Sequence, residues 1–281
     1  QRDENNLPCI YSNSLKGTLK TALLHATVKL GVPSTDEMRR NLVWSLMGPD
    51  PGAEESFESS IAVLDAYLLA TPVRSLRGVY TYMTTPPLLT RFVEYVDLTL
   101  SLRGAQHVSG SPGEVAQDNL RKIREAITQI LKATRFMGEN YYYCYDCGQN
   151  LCGAIQLEET GKQVVLVEDV VLDPLGESEE KREEKSRAEA TLCRLLGIME
   201  RPLLILSELR GAEVIDRSIL RLAHVRLERG AKVVEEGPWT AEYVPPRTKF
   251  FTAVLYKKPN VPLRMVDMLP EEQSLAEERY R

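Results

Sequence analysis

Lys16 and Lys20 stand four residues apart, a spacing that puts both side chains on one face of a helix. Ser14 lies just ahead of them. Ammonium groups, a hydroxyl and the free N–H groups of a helix N-terminus together suit phosphate oxygens. The plainer alternative is a solvated helix face. A second basic group, Arg74, Ser75 and Arg77, lies in Pro72-Val73-Arg74-Ser75-Leu76-Arg77-Gly78, read as a turn between two strands. Guanidinium forks match phosphate oxygens and the serine adds a donor. The alternative there is surface arginines paired with nearby acids.

Cys144, Cys147 and Cys152 gather three thiols within nine residues. Tetrahedral zinc needs a fourth ligand, and none of His25, His107 and His224 is adjacent in sequence. Zinc, a disulfide and free thiols therefore all stay open. Tyr141, Tyr142, Tyr143 and Tyr145 either pack this segment or meet a neighbour. Glu242 is a weak candidate for steadying a metal or a water, against a structural ion pair as the simpler reading. Tyr80, Tyr82 and Met83 follow the basic turn. They offer a base-stacking surface, but core packing is the preferred reading. The scattered histidines make neither an acid–base pair nor a Cys–His nucleophile. No Walker loop and no dinucleotide fingerprint is present.

These residues must be held by a chain of 281 residues with 35 basic and 40 acidic side chains, formally −5. That length supports a sizeable core. The net charge excludes a wholly basic nucleic-acid coat but permits a basic stripe. Leu15 to Arg40 and Val73 to Arg91 are basic, whereas Glu177–Glu184 and Glu271–Glu278 are acidic runs, read as solvated helix faces. No apolar run is long enough to span a membrane. No secretory signal is visible, so a cytoplasmic protein with mostly reduced thiols is expected. The chain starts without an initiator Met, and residues upstream are expected.

Periodicity gives a helix over about 14–30, with Ser12, Asn13 and Ser14 as caps, and another over about 36–46. Residues 61–69 and 79–84 read as strands. Helices follow over about 86–100 and 114–135, the latter with Leu120, Ile123, Ile127, Ile130 and Leu131 on one face. A β-rich segment over 138–176 precedes a charged helix over about 178–197. Then come a buried strand at 203–207, a helix over about 210–217, a strand pair near 220–236 and a strand at 250–255. The class is α+β, with two similar small sheets expected. The organisation expected is one domain over 1–281, with a helical insertion at 86–137 and a cysteine-containing β-rich insertion at 138–176.

Four segments together resemble the CRISPR RAMP proteins. Tyr11-Ser12-Asn13-Ser14-Leu15-Lys16-Gly17 is similar to the Pro-Gly-Ser-Ser-Leu-Lys-Gly piece opening that family's first helix, with Tyr11-Ser12-Asn13 in place of Pro-Gly-Ser. Val63 to Leu69, with Pro72 to Tyr80, is the more specific match. Thr84-Thr85-Pro86 with Leu88-Leu89 and Arg91-Phe92 is the third, and Trp239, Glu242 to Pro246 and Phe250-Phe251 the fourth. Their order is similar to the repeating backbone RAMP subunit of type III-B (Cmr) effector complexes, over roughly 1–92 and 200–255.

The resemblance implies a modified RRM or ferredoxin-like core with a β-hairpin thumb. Several copies would line up along a CRISPR RNA beside other Cmr subunits, with single-stranded target RNA annealed to the guide. Cleavage at regular intervals would need a divalent metal, Mg or Mn, and use the target's own 2′-hydroxyl. The family's cleavage carboxylate lies ahead of the segment resembling Gln1-Arg2-Asp3, and Asp3 does not replace it. RNA contacts are expected from Ser14, Lys16, Lys20, Arg74, Ser75 and Arg77. Two other functions remain open: a non-catalytic RNA-binding scaffold, and a stand-alone endonuclease that processes guide precursor.

Overall fold

The computed structural model describes residues 1–30, 36–54, 56–76, 78–103, 112–145, 154–156, 163–175, 190–194, 197–198, 203–227 and 234–257. The chain divides into two compact units. One holds Gln1, Cys9–Ala66 and the described part of Thr252–Arg281; the other holds Arg2–Pro8 and Tyr67–Phe251.

The smaller unit contains β1 (Cys9–Ile10), α1 (Ser12–Leu30), α2 (Asp36–Met47), β2 (Ile61–Val63) and a late strand, β13 (Val254–Tyr256). β13 pairs antiparallel with β2. Asp36 and Glu37 in its first turn give α2 a favourable start against the helix dipole. Val43 and Met47 are buried. α1 is different: none of its described side chains is buried, and Leu24 and Val28 are exposed.

The larger unit is built on one curled sheet. It uses β3 (Ala66–Ser75), β4 (Val79–Thr84), β5 (Tyr141–Tyr145), β6 (Ala154–Gln156), β7 (Gln163–Val167), β8 (Val170–Pro174) and β9 (Leu203–Leu206), with β12 (Lys249–Phe251) beside β3. The order runs β3-β4-β9-β5-β8-β7-β6. β7 also meets β3 at Ser75↔Val167, which closes a ring of six strands. Leu76 N–H donates to the Leu166 carbonyl at 3.3 Å, and Glu168 N–H to the Arg74 carbonyl at 3.1 Å, on either side of that closure.

Every side chain of β9 is buried, as a strand covered on both faces requires. Leu204 and Leu206 join Val165, Val167, Leu172, Val214 and Ile215 in one core. Leu203 and Ile205 join Leu89, Ile123, Ile127 and Ile130 in the other. The second core is supplied by α3 (Pro86–Arg103) and α4 (Pro112–Thr134), whose apolar stripe is the one the periodicity indicates. Tyr82 and Met83 are buried in these cores, as the packing reading of that strand expected. α5 (Glu208–Ser218) starts at Ser207, whose side chain accepts from the Arg210 N–H. Gly211 lets α5 approach Thr85: a Cβ at that position would lie 2.1 Å from Thr85 Cγ2.

Several boundaries differ from the sequence reading. The strand expected at 61–69 breaks at Leu64–Asp65 and resumes through Ser75, so Arg74 and Ser75 are strand residues, not turn residues. Its partner breaks likewise, at Thr252–Ala253. Thr252 Oγ1 donates to the Leu64 carbonyl at 2.7 Å, and Leu64 N–H to the Ala253 carbonyl at 3.0 Å, so the two breaks satisfy each other. Instead of two similar small sheets, the described residues form one large sheet with two two-stranded ones. The strands of 138–176 are woven into the large sheet, with β5 between β9 and β8. Of the charged helix at 178–197, only 190–194 and 197 lie within the described residues.

The strand pair is longer than expected. β10 (Leu220–Leu227) and β11 (Val234–Tyr243) form an antiparallel ribbon that pairs with no other strand among the described residues.

Candidate functional site

The first helix gives Lys16 and Lys20 different roles. Lys20 Nζ donates to the Gly48 carbonyl at 2.8 Å, pairs with Asp50 at 2.6 Å and lies 5.9 Å from the Trp44 ring centroid. The hydrogen bond from Lys20 holds the Asp50 carboxyl below its ordinary range. Lys20 thus ties α1 to the loop after α2. Lys16 has no hydrogen-bond or ion-pair partner among the described residues.

Ser14 is exposed and accepts from Gln1 Nε2 at 3.2 Å. The N–H of Ser12 donates to Asp65 Oδ1 at 2.6 Å, so a carboxylate already caps the N-terminus read as a phosphate site. What α1 leaves open is a shallow face of Asn13, Ser14, Gly17, Thr18, Thr21 and His25. No acidic residue occurs between Ser12 and Leu30. Small side chains and a purely basic charge let a polyanion approach this helix closely.

Arg74 is bound to an acid that the sequence did not mark. Glu168 and Asp169 sit at positive φ, 45° and 65°, in the two-residue turn from β7 to β8. Glu168 is buried, and its carboxylate accepts from the Arg74 backbone N–H and from Arg74 Nε, both at 2.7 Å. Asp169 Oδ2 is 4.0 Å from Arg74 Nη2. Arg74 is therefore a latch at the closure of the strand ring, although most of its guanidinium remains exposed. Ser75 is buried in the same strand end. Arg77 lies outside the described residues. Leu76 and Val79, on either side of it, are strongly exposed.

The ribbon carries the most conspicuous surface. Register pairs Leu220 with Tyr243, Leu222 with Ala241 and His224 with Trp239. Alternation puts these six on one face. Leu220, Leu222, Trp239 and Tyr243 are between 45% and 53% exposed, although large and apolar. The His224 and Trp239 rings stack at 6.0 Å and 24°. The Tyr243 hydroxyl lies 3.2 Å from His224 Nε2. The other face carries Glu242, which Arg2 grips with Nε and Nη2 at 2.8–3.0 Å and Arg221 meets at 3.1 Å. The hydrogen bond from Arg2 comes first among the causes that hold the Glu242 carboxyl below its ordinary range. Glu242 is thus ion-paired to both Arg2 and Arg221.

Asp3 is equally committed. It accepts from the Asn5 and Leu7 N–H groups and from Arg91 Nη1 at 2.8 Å. Cys144 is disulfide-bonded, unlike the buried free thiols of Cys9 and Cys193. Cys147 and Cys152 lie outside the described residues. Among the described residues no group of three or more His, Cys, Asp or Glu side chains is placed to hold a metal ion.

Ser14, Lys16 and Lys20 fall in the smaller unit, and Arg74, Ser75 and Glu242 in the larger. Sequence reasoning missed the ribbon face, Glu168 and the role of Arg2. The period-2 alternation of Leu220, Leu222 and His224, repeated in Trp239, Ala241 and Tyr243, is a signal that could have found the first. No helix among the described residues is long and apolar enough to cross a membrane.

Comparison with known proteins gives a consistent picture. A family model described as the RAMP superfamily matches residues 1–269. The CRISPR system CMR subunit Cmr4 of Saccharolobus solfataricus is 27% identical over 261 residues, covering 91% of this chain and 75% of its own length. The CRISPR system Cmr endoribonuclease Cmr4 of Pyrococcus furiosus is 39% identical over 101 residues, 35% of this chain and 30% of its own. A cryo-EM structure of the type III-B Cmr-beta bound to cognate target RNA contains a chain that superposes with a TM-score of 0.62 at 25% identity, over 96% of this chain and 78% of that one.

Proposed function

The chain belongs to the RAMP superfamily, and on that premise we propose that it is an RNA-binding backbone subunit of a type III-B Cmr complex, built on a modified RRM or ferredoxin-like core. The observation that carries this reading is the open aromatic face of the β10–β11 ribbon. Four large apolar side chains half exposed on a ribbon that no other described strand pairs with suit a stacked base better than bulk water. Stacking on such side chains is worth about 1–3 kcal/mol per base and ignores sequence. We assign this ribbon as the thumb.

Lys16 and Ser14 supply backbone contacts along the acid-free face of α1. Lys20 steadies α1 in the smaller unit, Arg74 and Ser75 belong to the strand ring of the larger one, and Arg77 stays a proposed RNA contact. Affinity then comes from phosphate and stacking, and sequence is read by guide–target pairing. The partners are a CRISPR RNA, a single-stranded target RNA, further copies of the chain and other Cmr subunits, in a cytoplasmic ribonucleoprotein.

As an endoribonuclease the chain holds the target bent beside the thumb, so that a ribose 2′-oxygen lies in line with the adjacent phosphorus. The 2′-oxygen bonds to phosphorus and loses its proton to solvent. The bond from phosphorus to the 5′-oxygen breaks, and that oxygen takes up a proton. The products are a cyclic phosphate end and a 5′-hydroxyl end. A divalent ion, Mg or Mn, is the expected requirement. The described side chains build no cage for it, and no step is assigned to it or to Glu242.

The committed state of Glu242 favours one second reading, a scaffold that binds guide and target without cutting. Gel electrophoresis of labelled target, incubated with protein assembled on guide RNA, separates the readings. Evenly spaced cuts that chelator abolishes support the nuclease. Retained, uncut target supports the scaffold. Cutting of guide precursor by the free monomer, with no target retained, would overturn both in favour of a processing enzyme.

A further inference from the structure

Arg2, Glu242, Arg221 and Asp216 form a closed ring of alternating charge. Arg2 meets Glu242 at 2.8 Å, Glu242 meets Arg221 at 3.1 Å, Arg221 meets Asp216 at 2.6 Å, and Asp216 returns to Arg2 at 3.5 Å. The four groups come from four places in the larger unit: the N-terminal segment, the end of β11, the start of β10 and the last turn of α5. Arg221 also donates to the Asp216 carbonyl, at the negative end of α5. Arg2 Nη1 is held in turn by the Asn6 carbonyl at 2.6 Å. The N-terminal segment is itself fixed to α3, because Asp3 and Glu4 both grip Arg91.

The ring sits where the ribbon leaves the sheet. Leu220↔Tyr243 and Arg221↔Glu242 are its first two pairs. The ribbon beyond them pairs with no other described strand. Its rise from the body is held by this ring, by buried Ile219 ahead of β10 and, beyond β11, by Arg247, which donates to the Tyr80 hydroxyl at 2.8 Å. Single exposed ion pairs contribute little, but a closed network of forked contacts fixes geometry.

We propose that the Arg2–Glu242–Arg221–Asp216 ring sets the angle of the ribbon to the sheet, making Arg2 and Glu242 positioning residues for the aromatic face. The consequence for RNA rests on the reading of that ribbon as the thumb; the angular claim does not. On this view the fourth matched segment supplies a stacking residue, Trp239, and its anchor, Glu242, three residues apart on opposite faces of one strand.

The test uses the full chain carrying keto-reactive spin labels at position 240 on the ribbon and position 121 on α4, both exposed. Pulsed electron resonance reads the distance distribution between them. The ring predicts a narrow distribution that broadens roughly twofold in Arg2→Gln and in Glu242→Gln, and by a smaller step in Arg2→Lys, which keeps the charge but loses the fork. High salt should broaden the unsubstituted chain more than Arg2→Gln, in which only the Arg221 pairs with Glu242 and Asp216 remain to be screened. An unchanged thermal midpoint would show that the fold survives. Distributions equal in all variants and at all salt concentrations would overturn the proposal, as would broadening confined to variants that unfold.

Target-RNA retention on guide-assembled protein is measured beside it, with Trp239→Ala as reference. Loss in Trp239→Ala and in the ring variants supports positioning. Loss in Trp239→Ala alone overturns it. No loss in any variant overturns the thumb reading, and the distance data then decide the angular claim by themselves.

Discussion

At the scale of single residues, the structure redistributes the basic groups. Of the described candidates Lys16, Lys20 and Arg74, only Lys16 has no partner among the described residues, so the expected contribution to RNA affinity is placed on it. Lys16→Ala should weaken guide binding across sequences and lower the slope of log affinity against log salt by about one. Lys20→Ala should lower the melting temperature instead, since Lys20 serves a carbonyl and Asp50 within the fold. Filter binding over a salt series, with thermal melts, separates the two. Arg74 and Glu168 differ in the opposite sense. Arg74→Ala strips a side-chain partner from a buried carboxylate and should lower the melting temperature. Glu168→Gln keeps the shape and removes the buried charge, so urea unfolding should show a smaller loss. The depressed Glu242 carboxyl gives a pH signature. A lowered folded value adds stability above the ordinary glutamate range and loses it as pH falls through the lowered value. Angular order of the ribbon should therefore fade on acidification in the unsubstituted chain and respond less in Glu242→Gln, where Asp216 is the carboxylate of the ring that remains.

At the scale of elements, the helices were largely legible and the strand edges were not. Helix α4 could be read because Ile123, Ile127 and Ile130 repeat at a period that only a helix satisfies, and all three are buried. The strand through Ile61–Leu69 read as continuous because its residues are uniformly apolar. Nothing local records that Leu64 bonds across to Thr252 and Ala253, which is where it breaks. The role of 138–176 was illegible for a similar reason. Whether Tyr141–Tyr145 forms an outlying hairpin or the middle of a sheet depends on pairing with Leu203–Leu206, far away in sequence. Of the candidate site, α1 and its lysines could be placed, but the acids that claim Arg74 and Lys20 could not. Gly211 belongs to this scale too. Its missing side chain lets α5 lie against Thr85, so Gly211→Ala must push one element away, at about 1–3 kcal/mol by thermal or urea unfolding. If Gly211→Ala proved neutral, that close approach would not matter to stability.

At the scale of the whole molecule, the account joins two kinds of surface. One is an acid-free helix with small polar side chains, suited to a phosphate chain. The other is a ribbon with an open aromatic face, suited to bases. On the proposed reading such a subunit reads no sequence of its own and is used in repetition along a guide. The most direct test is native mass spectrometry of the chain, with the other Cmr subunits, assembled on guide RNAs lengthened in regular steps. The account predicts that copies of this chain increase stepwise with guide length and that Lys16→Ala weakens every step alike. A single copy bound regardless of guide length would contradict it.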